Sequence, residues 1–133
     1  MDIDTLPLAL YLIATPLGNL GDFSTRAAHI VKNLRHIGCE DTRVSAPFLK
    51  SLNPNLQLFS AFEHVENRAA AKIVEILKSG ESVGLVTDAG TPAISDPGAK
   101  IVQNVRAAGF QIISIPGACA AVTAAHAPGI AII

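Results

Sequence analysis

The apolar positions of the chain gather into five short runs at fairly even spacing: Leu8–Ala14 (LALYLIA), Leu34–Glu40 (LRHIGCE), Leu56–Phe62 (LQLFSAF), Ser82–Asp88 (SVGLVTD) and Gln111–Pro116 (QIISIP). Each has the length of a strand, and turn-forming residues bound most of them. The second is the least regular, because Arg35 and His36 open it. Between the runs the period changes to that of a helix. Ala27, Ile30, Val31 and Leu34 fall at i, i+3, i+4 and i+7. Ala69, Ile73, Ile76 and Leu77 fall at i, i+4, i+7 and i+8, and Ile101, Val102, Val105 and Ala108 make a third stripe. Ser24 has the chemistry of an N-cap, and Asp96-Pro97 reads as an N-cap followed by proline in the first turn. Gly80 and Gly109 stand where a helix end needs positive φ. A short helix over 46–52 and a last one from about Cys119 complete the series.

This alternation predicts an α/β domain with a mainly parallel five-stranded sheet and helices on both faces. Such sheets bind ligands at the carboxyl ends of their strands, near a switch in strand order. The segments that follow the strands are therefore where chemistry is expected. A chain of 133 residues makes one domain. No repeat, low-complexity segment or linker divides it, and its apolar end, PGIAII, reads like a domain boundary.

Composition changes this picture mainly by exclusion. Hydrophobic residues make up 50% of the chain and charged residues 16%, which excludes disorder. The most apolar stretch, Ala118–Ile133, is broken by His126, Pro128 and Gly129, whereas a membrane span needs about 20 apolar residues. The acidic start, Met1-Asp2-Ile3-Asp4, lacks the positive opening of a secretory signal. Cys39 and Cys119 read as buried thiols in a reducing cytoplasm. Ten Lys and Arg oppose eleven Asp and Glu with no basic run, so the sequence shows no electrostatic footprint of nucleic-acid binding. The aromatic content of 5%, without Trp, fits poorly with a base-stacking platform. His29, His36, His64 and His126 have no zinc-like spacing, so no metal is expected.

The loops are more informative. The first, 14–22 (ATPLGNLGD), is neither GxGxxG nor a P-loop, yet two glycines and a proline make a tight turn that exposes backbone. The second places Glu40, Asp41, Thr42 and Arg43 at a strand end. These could supply a base or orient a substrate, or simply start a helix with Asp41 or Thr42 as its cap. The third sets Glu63 beside His64, suited to acid–base work; alternatively Ser60 and Glu63 form a capping box. The fourth, 87–98 (TDAGTPAISDPG), has twelve residues, well beyond the usual strand-to-helix connection. Its small residues allow close approach of an adenosine-sized ligand, and its aspartates can accept from hydroxyl or ammonium groups. The fifth, 116–121 (PGACAA), leaves room for a flat ring or a methionine-like chain.

In this order, LYLIATPLGNLGD, CEDTR, FSAFEH, VGLVTDAGTPAISDPG and IPGACAAVTA resemble the N-terminal half of enzymes of the tetrapyrrole (corrin/porphyrin) methylase superfamily. The branch is the one that methylates a cytidine ribose 2′-hydroxyl in small-subunit rRNA. The resemblance runs from about Leu10 to about Ala125. The long VTDAGTPAISDPG loop and the first loop separate the chain from tetrapyrrole methylases proper, which carry GDP-type and GxGPG-type loops there. The resemblance implies S-adenosylmethionine (SAM) as cofactor, in a cleft between two α/β domains of which this chain holds the first. It implies that Leu17 and Gly18 border the ligand, that Asp88, Ala89, Gly90 and Thr91 contact it, and that Ile94 makes an apolar contact. Cys119 and Ala120 fall where the last loop meets the nucleoside or methionine part.

The implied partner is small-subunit rRNA or the 30S subunit. A homodimer and a cytoplasmic, membrane-free location are also expected. For the chemistry, holding the hydroxyl in line with the methyl does much of the work. Glu40, Asp41 and Glu63 are candidates to take the hydroxyl proton, with Arg43 positioning a phosphate or ribose. The family's second domain is absent from this chain, so half the cleft and much of the RNA surface are expected to be missing. Two alternatives stand beside this reading: a tetrapyrrole or precorrin C-methyltransferase, and a SAM-binding module without chemistry.

Overall fold

In the computed structural model the described residues are 6–14, 23–39, 42–61, 66–87 and 96–115. They form β1 (Ala9–Ala14), α1 (Thr25–Lys32), β2 (His36–Cys39), α2 (Thr42–Leu52), β3 (Gln57–Ser60), α3 (Glu66–Lys78), β4 (Val83–Thr87), α4 (Asp96–Ala107) and β5 (Gln111–Ile115). The strands make one sheet in the order β3-β2-β4-β1-β5, and every neighbouring pair is parallel. The α/β expectation therefore holds, with a sheet that is wholly rather than mainly parallel.

The sheet lies between two helical layers. Along β1, Ala9, Tyr11 and Ile13 point to a cluster with Ala27, Ile30 and Val31 of α1 and Leu49 of α2. Leu10 and Leu12 point the other way, to Ile73 and Leu77 of α3 and Ile101 and Val105 of α4. All six β1 residues are buried. This is why its sequence is a continuous apolar run instead of an alternation.

The helix boundaries follow local chemistry. Ser24 caps α1, its Oγ accepting from the Ala27 N–H at 3.0 Å. Gly80, at φ 93°, ends α3: its N–H donates to Leu77 O and that of Glu81 donates to Ile76 O, the paired bonds of a Schellman turn. Gly109, at φ 88°, ends α4 in the same way through Arg106 O and Val105 O.

One local reading is corrected. The helix expected over 46–52 begins four residues earlier, at Thr42, and carries Pro47 inside it. The alternative of a capping box between Ser60 and Glu63 involves Glu63, which lies outside the described residues; Ser60 itself is the last residue of β3. The expected helix from Cys119 lies outside the described residues.

Tyr11 shows how β1 is anchored at its amino end. Its Oη donates to Pro7 O at 2.7 Å, and Ser82 Oγ donates to the same carbonyl at 3.2 Å. Burial pushes the Tyr11 phenol above its ordinary value of 10, with the Arg26 charge opposing. The folded chain thus holds this proton when the unfolded chain has begun to lose it. The stability tied to Tyr11 is present below pH 10 and is lost as pH rises beyond that value. Urea titrations from neutral to strongly alkaline pH should show a steeper alkaline decline for the wild type than for Tyr11→Phe. That variant should also lose about 1 kcal/mol at neutral pH with its hydrogen bond. Parallel alkaline limbs would remove Tyr11 from this account.

Candidate functional site

The site is framed by the carboxyl edge of the sheet. β4 sits at its centre, between β2 and β1. Thr87, where β4 ends, is in register with Ala14, where β1 ends; Val86 is in register with Cys39, where β2 ends. Cys39 in turn faces Ser60 of β3, and Ile13 faces Ile115 of β5. The five segments singled out in the sequence thus leave the sheet from one edge.

Their onward paths diverge. β1 and β2 continue to α1 and α2 on one face; β3 and β4 continue to α3 and α4 on the other. The connection from β4 is therefore flanked on both sides by connections that go to the opposite face. In open α/β sheets, neighbouring strands whose connections go to opposite faces mark the place where ligands are taken, outside the carboxyl ends. Most strand ends at this edge are small: Ala14, Cys39, Ser60 with Ala61 after it, and Thr87, beside the larger Ile115 of β5. Ala14, Cys39 and Ala61 are buried. Small strand ends let a ligand come close to the sheet.

The predicted site residues fall on this frame as follows. Arg43 is the second residue of α2, exposed and close to the β2 exit. Leu17 and Gly18 belong to the β1–α1 segment, Glu40 and Asp41 to β2–α2, and Glu63 to β3–α3. Asp88, Ala89, Gly90, Thr91 and Ile94 belong to β4–α4, and Cys119 and Ala120 follow β5. All but Arg43 lie outside the described residues. The topology brings the starts of their segments to one edge, which no motif by itself required.

One group escaped the sequence reading. The Ser60 Oγ is buried with no hydrogen-bond partner among the described residues. Its place at the strand end, beside Cys39, makes it a polar group at the carboxyl edge of the sheet. Nothing in FSAF distinguishes it from a capping serine. Among the described residues no group of three His, Cys, Asp or Glu could hold a metal ion. No described helix is long and apolar enough to cross a membrane. His36 is engaged at the other end of the sheet, where its Nε2 lies 2.8 Å from Glu81 Oε2.

Fold and edge together define a class: an open, parallel α/β domain whose neighbouring strands send their connections to opposite faces. The chain belongs to the family of Tetrapyrrole (Corrin/Porphyrin) Methylases, whose profile matches residues 9–132. It is 46% identical over 122 residues to the ribosomal RNA small subunit methyltransferase I of Pasteurella multocida, covering 92% of this chain and 43% of that protein. To the Haemophilus influenzae protein of the same name it is 44% identical over 122 residues, again covering 92% and 43%. The chain thus spans less than half the length of these curated relatives. Among solved structures it is similar to uroporphyrin-III-C-methyltransferase from Thermus thermophilus. The TM-score is 0.68 at 18% identity, over 88% of this chain and 51% of that one. A complex of a Thermus thermophilus uroporphyrin-III C-methyltransferase with S-adenosylhomocysteine gives 0.62 at 17% identity, over 90% and 49%. At such identities the structural likeness concerns the fold alone.

Proposed function

We propose that this chain is the N-terminal, SAM-binding domain of an enzyme that methylates a ribose 2′-hydroxyl in small-subunit rRNA. The observation that carries the reading is the 46% identity, across 92% of the chain, to a relative named as a small-subunit rRNA methyltransferase. A ligand at the carboxyl edge of the sheet is in keeping with this reading, since most strand ends there are small and neighbouring strands lead to helices on opposite faces. A complex of a structural neighbour with S-adenosylhomocysteine supports the same cofactor class. Leu17 and Gly18, the Asp88–Thr91 stretch, Ile94, Cys119 and Ala120 would hold the cofactor. SAM supplies a methyl group on a sulfonium, electrophilic without further activation.

The protein's part is to hold the 2′-hydroxyl in line and to receive its proton. Glu40, Asp41 and Glu63 are the carboxylates available for the proton, and Arg43 is placed to position a substrate phosphate. Association with small-subunit rRNA, a homodimeric enzyme and a cytoplasmic location follow from the same reading.

Two measurements test it. Calorimetric titration should show selective binding of S-adenosylhomocysteine over NAD. Gly90→Val, which puts a branched side chain where backbone must approach the ligand, should weaken that binding at least about tenfold. Transfer of labelled methyl from SAM should place label on a ribose of small-subunit rRNA, read as an alkali-resistant linkage, and none on uroporphyrinogen III. Label on the porphyrinogen would move the enzyme to the C-methylating branch. Cofactor binding without transfer to either would leave a binding module.

A further inference from the structure

An α-helix ties the N–H of each residue to the carbonyl four residues before it. Helix α2 breaks this ladder in its middle. Pro47 is the sixth of its eleven residues, too far along to fall among the first N–H groups that have no helical partner in any case. Proline brings no N–H, and its ring crowds the carbonyl one turn back. It also disfavours the helical conformation of the residue before it, yet Ala46 is helical. The contrast with α4 is direct. Pro97 stands at the second position of that helix, where no rung is lost.

Beyond Pro47 the helix is tied down. Leu49 is fully buried, and Leu52 packs against the same cluster. The Phe48 ring meets Phe23 edge-on, with centroids 4.9 Å apart. Asn53, directly after α2, donates to the Val31, Lys32 and Leu34 carbonyls at the end of α1. On the near side of Pro47, Arg43 is exposed and Thr42 and Ala46 are half-buried. Thr42, Val44 and Ser45 are all weak helix formers. A cap from Asp41, outside the described residues, would steady this turn from its outer end and would not restore the missing rung.

We propose that Pro47 is a hinge: the turn Thr42–Ala46 opens and closes independently of the anchored remainder of α2, as a movable rim at the exit of β2. This turn begins directly after the β2–α2 segment and carries Arg43. Its role at the substrate rests on the reading above, which places Arg43 there; the motion itself depends on the helix alone. A rim that moves on a fixed base lets a ligand enter the carboxyl edge of the sheet without loosening the core beneath it.

Amide hydrogen exchange, followed residue by residue by NMR, tests the hinge without any ligand. Ser45 and Ala46 are the fourth and fifth residues of α2; Ala69 and Ala70 hold the same places in α3, whose interior has no proline. In the wild type, Ser45 and Ala46 should be protected about a hundredfold less than Ala69 and Ala70, the factor expected for a proline in a helix interior. Pro47→Ala should bring the two pairs within about tenfold of each other. Equal protection of the pairs in the wild type would overturn the hinge. So would a Pro47→Ala variant in which Ser45 and Ala46 exchange as before, since the fault would then be ordinary fraying of a helix end.

A hairpin of small-subunit rRNA, added with S-adenosylhomocysteine, tests the role at the substrate. Ser45 and Ala46 should gain at least about threefold protection in the wild type while Leu49 and Lys50 stay unchanged. Bound hairpin with no gain would overturn the rim's part in substrate binding. Failure of both hairpin and S-adenosylhomocysteine to bind would sink the methyltransferase reading and with it that part; the hinge would still stand or fall by the comparison with Pro47→Ala.

Discussion

Replacing Asn53 by alanine is expected to lower the stability of the domain by roughly 3 kcal/mol. Asn53 follows the last residue of α2 and is buried. Its Nδ2 donates to Leu34 O at 2.8 Å, Val31 O at 3.0 Å and Lys32 O at 3.3 Å, the carbonyls at the end of α1. Its Oδ1 accepts from the Asn55 N–H at 3.1 Å, closing the turn into β3. One amide thus satisfies a helix C-terminus that lacks a glycine and fastens it to the end of the next helix. Alanine leaves those acceptors buried with less than their full complement of donors, and neither water nor a neighbour replaces the amide easily. Asn53→Asp should be worse than alanine at neutral pH, because a carboxylate would face three carbonyls, and should recover in acid as the carboxyl gains a proton to donate. Urea unfolding at two pH values measures both. A loss below about 1 kcal/mol for alanine would mean that packing, not the amide, joins α1 to α2.

Gly84→Val is expected to cost about 3 kcal/mol, at the upper end for overpacking. Gly84 lies in the central strand, flanked in register by Tyr11 on β1 and Ile37 on β2. A Cβ there would stand 2.9 Å from Leu34 Cδ1, 3.1 Å from Ile37 Cγ1 and 3.3 Å from Ile13 Cδ1. Ile37 and Ile13 are themselves on strands and cannot retreat, so two further methyl groups have nowhere to go. Gly84→Ala should be milder, about 1 kcal/mol, because the nearest atom is the mobile end of a leucine. Denaturant midpoints for the pair give the test. Equal stability of wild type and the valine variant would show that α1 can move off the sheet without penalty. Because β4 carries the fourth loop, loss of its packing should weaken S-adenosylhomocysteine binding as well.

The sequence determined those features that depend on neighbours along the chain. Five apolar runs of strand length became five strands, because a strand buried on both faces must be apolar throughout. Ser24, Gly80 and Gly109 set helix boundaries through bonds that reach only three to five residues. The order of motifs from ATPLGNLGD to IPGACAAV pointed to the methylase family before any coordinate was needed, and the family match covers residues 9–132.

What the tertiary structure alone decided concerns residues far apart in sequence. The order β3-β2-β4-β1-β5 places β4 between β1 and β2, so that the first, second and fourth loops begin side by side. Asn53 found its partners 19 to 22 residues away, at a distance no helical or strand period reports. The two helical layers arose in the same way: right-handed crossovers send α1 and α2 to one side of the sheet and α3 and α4 to the other, a choice that depends on strand order and not on any local pattern.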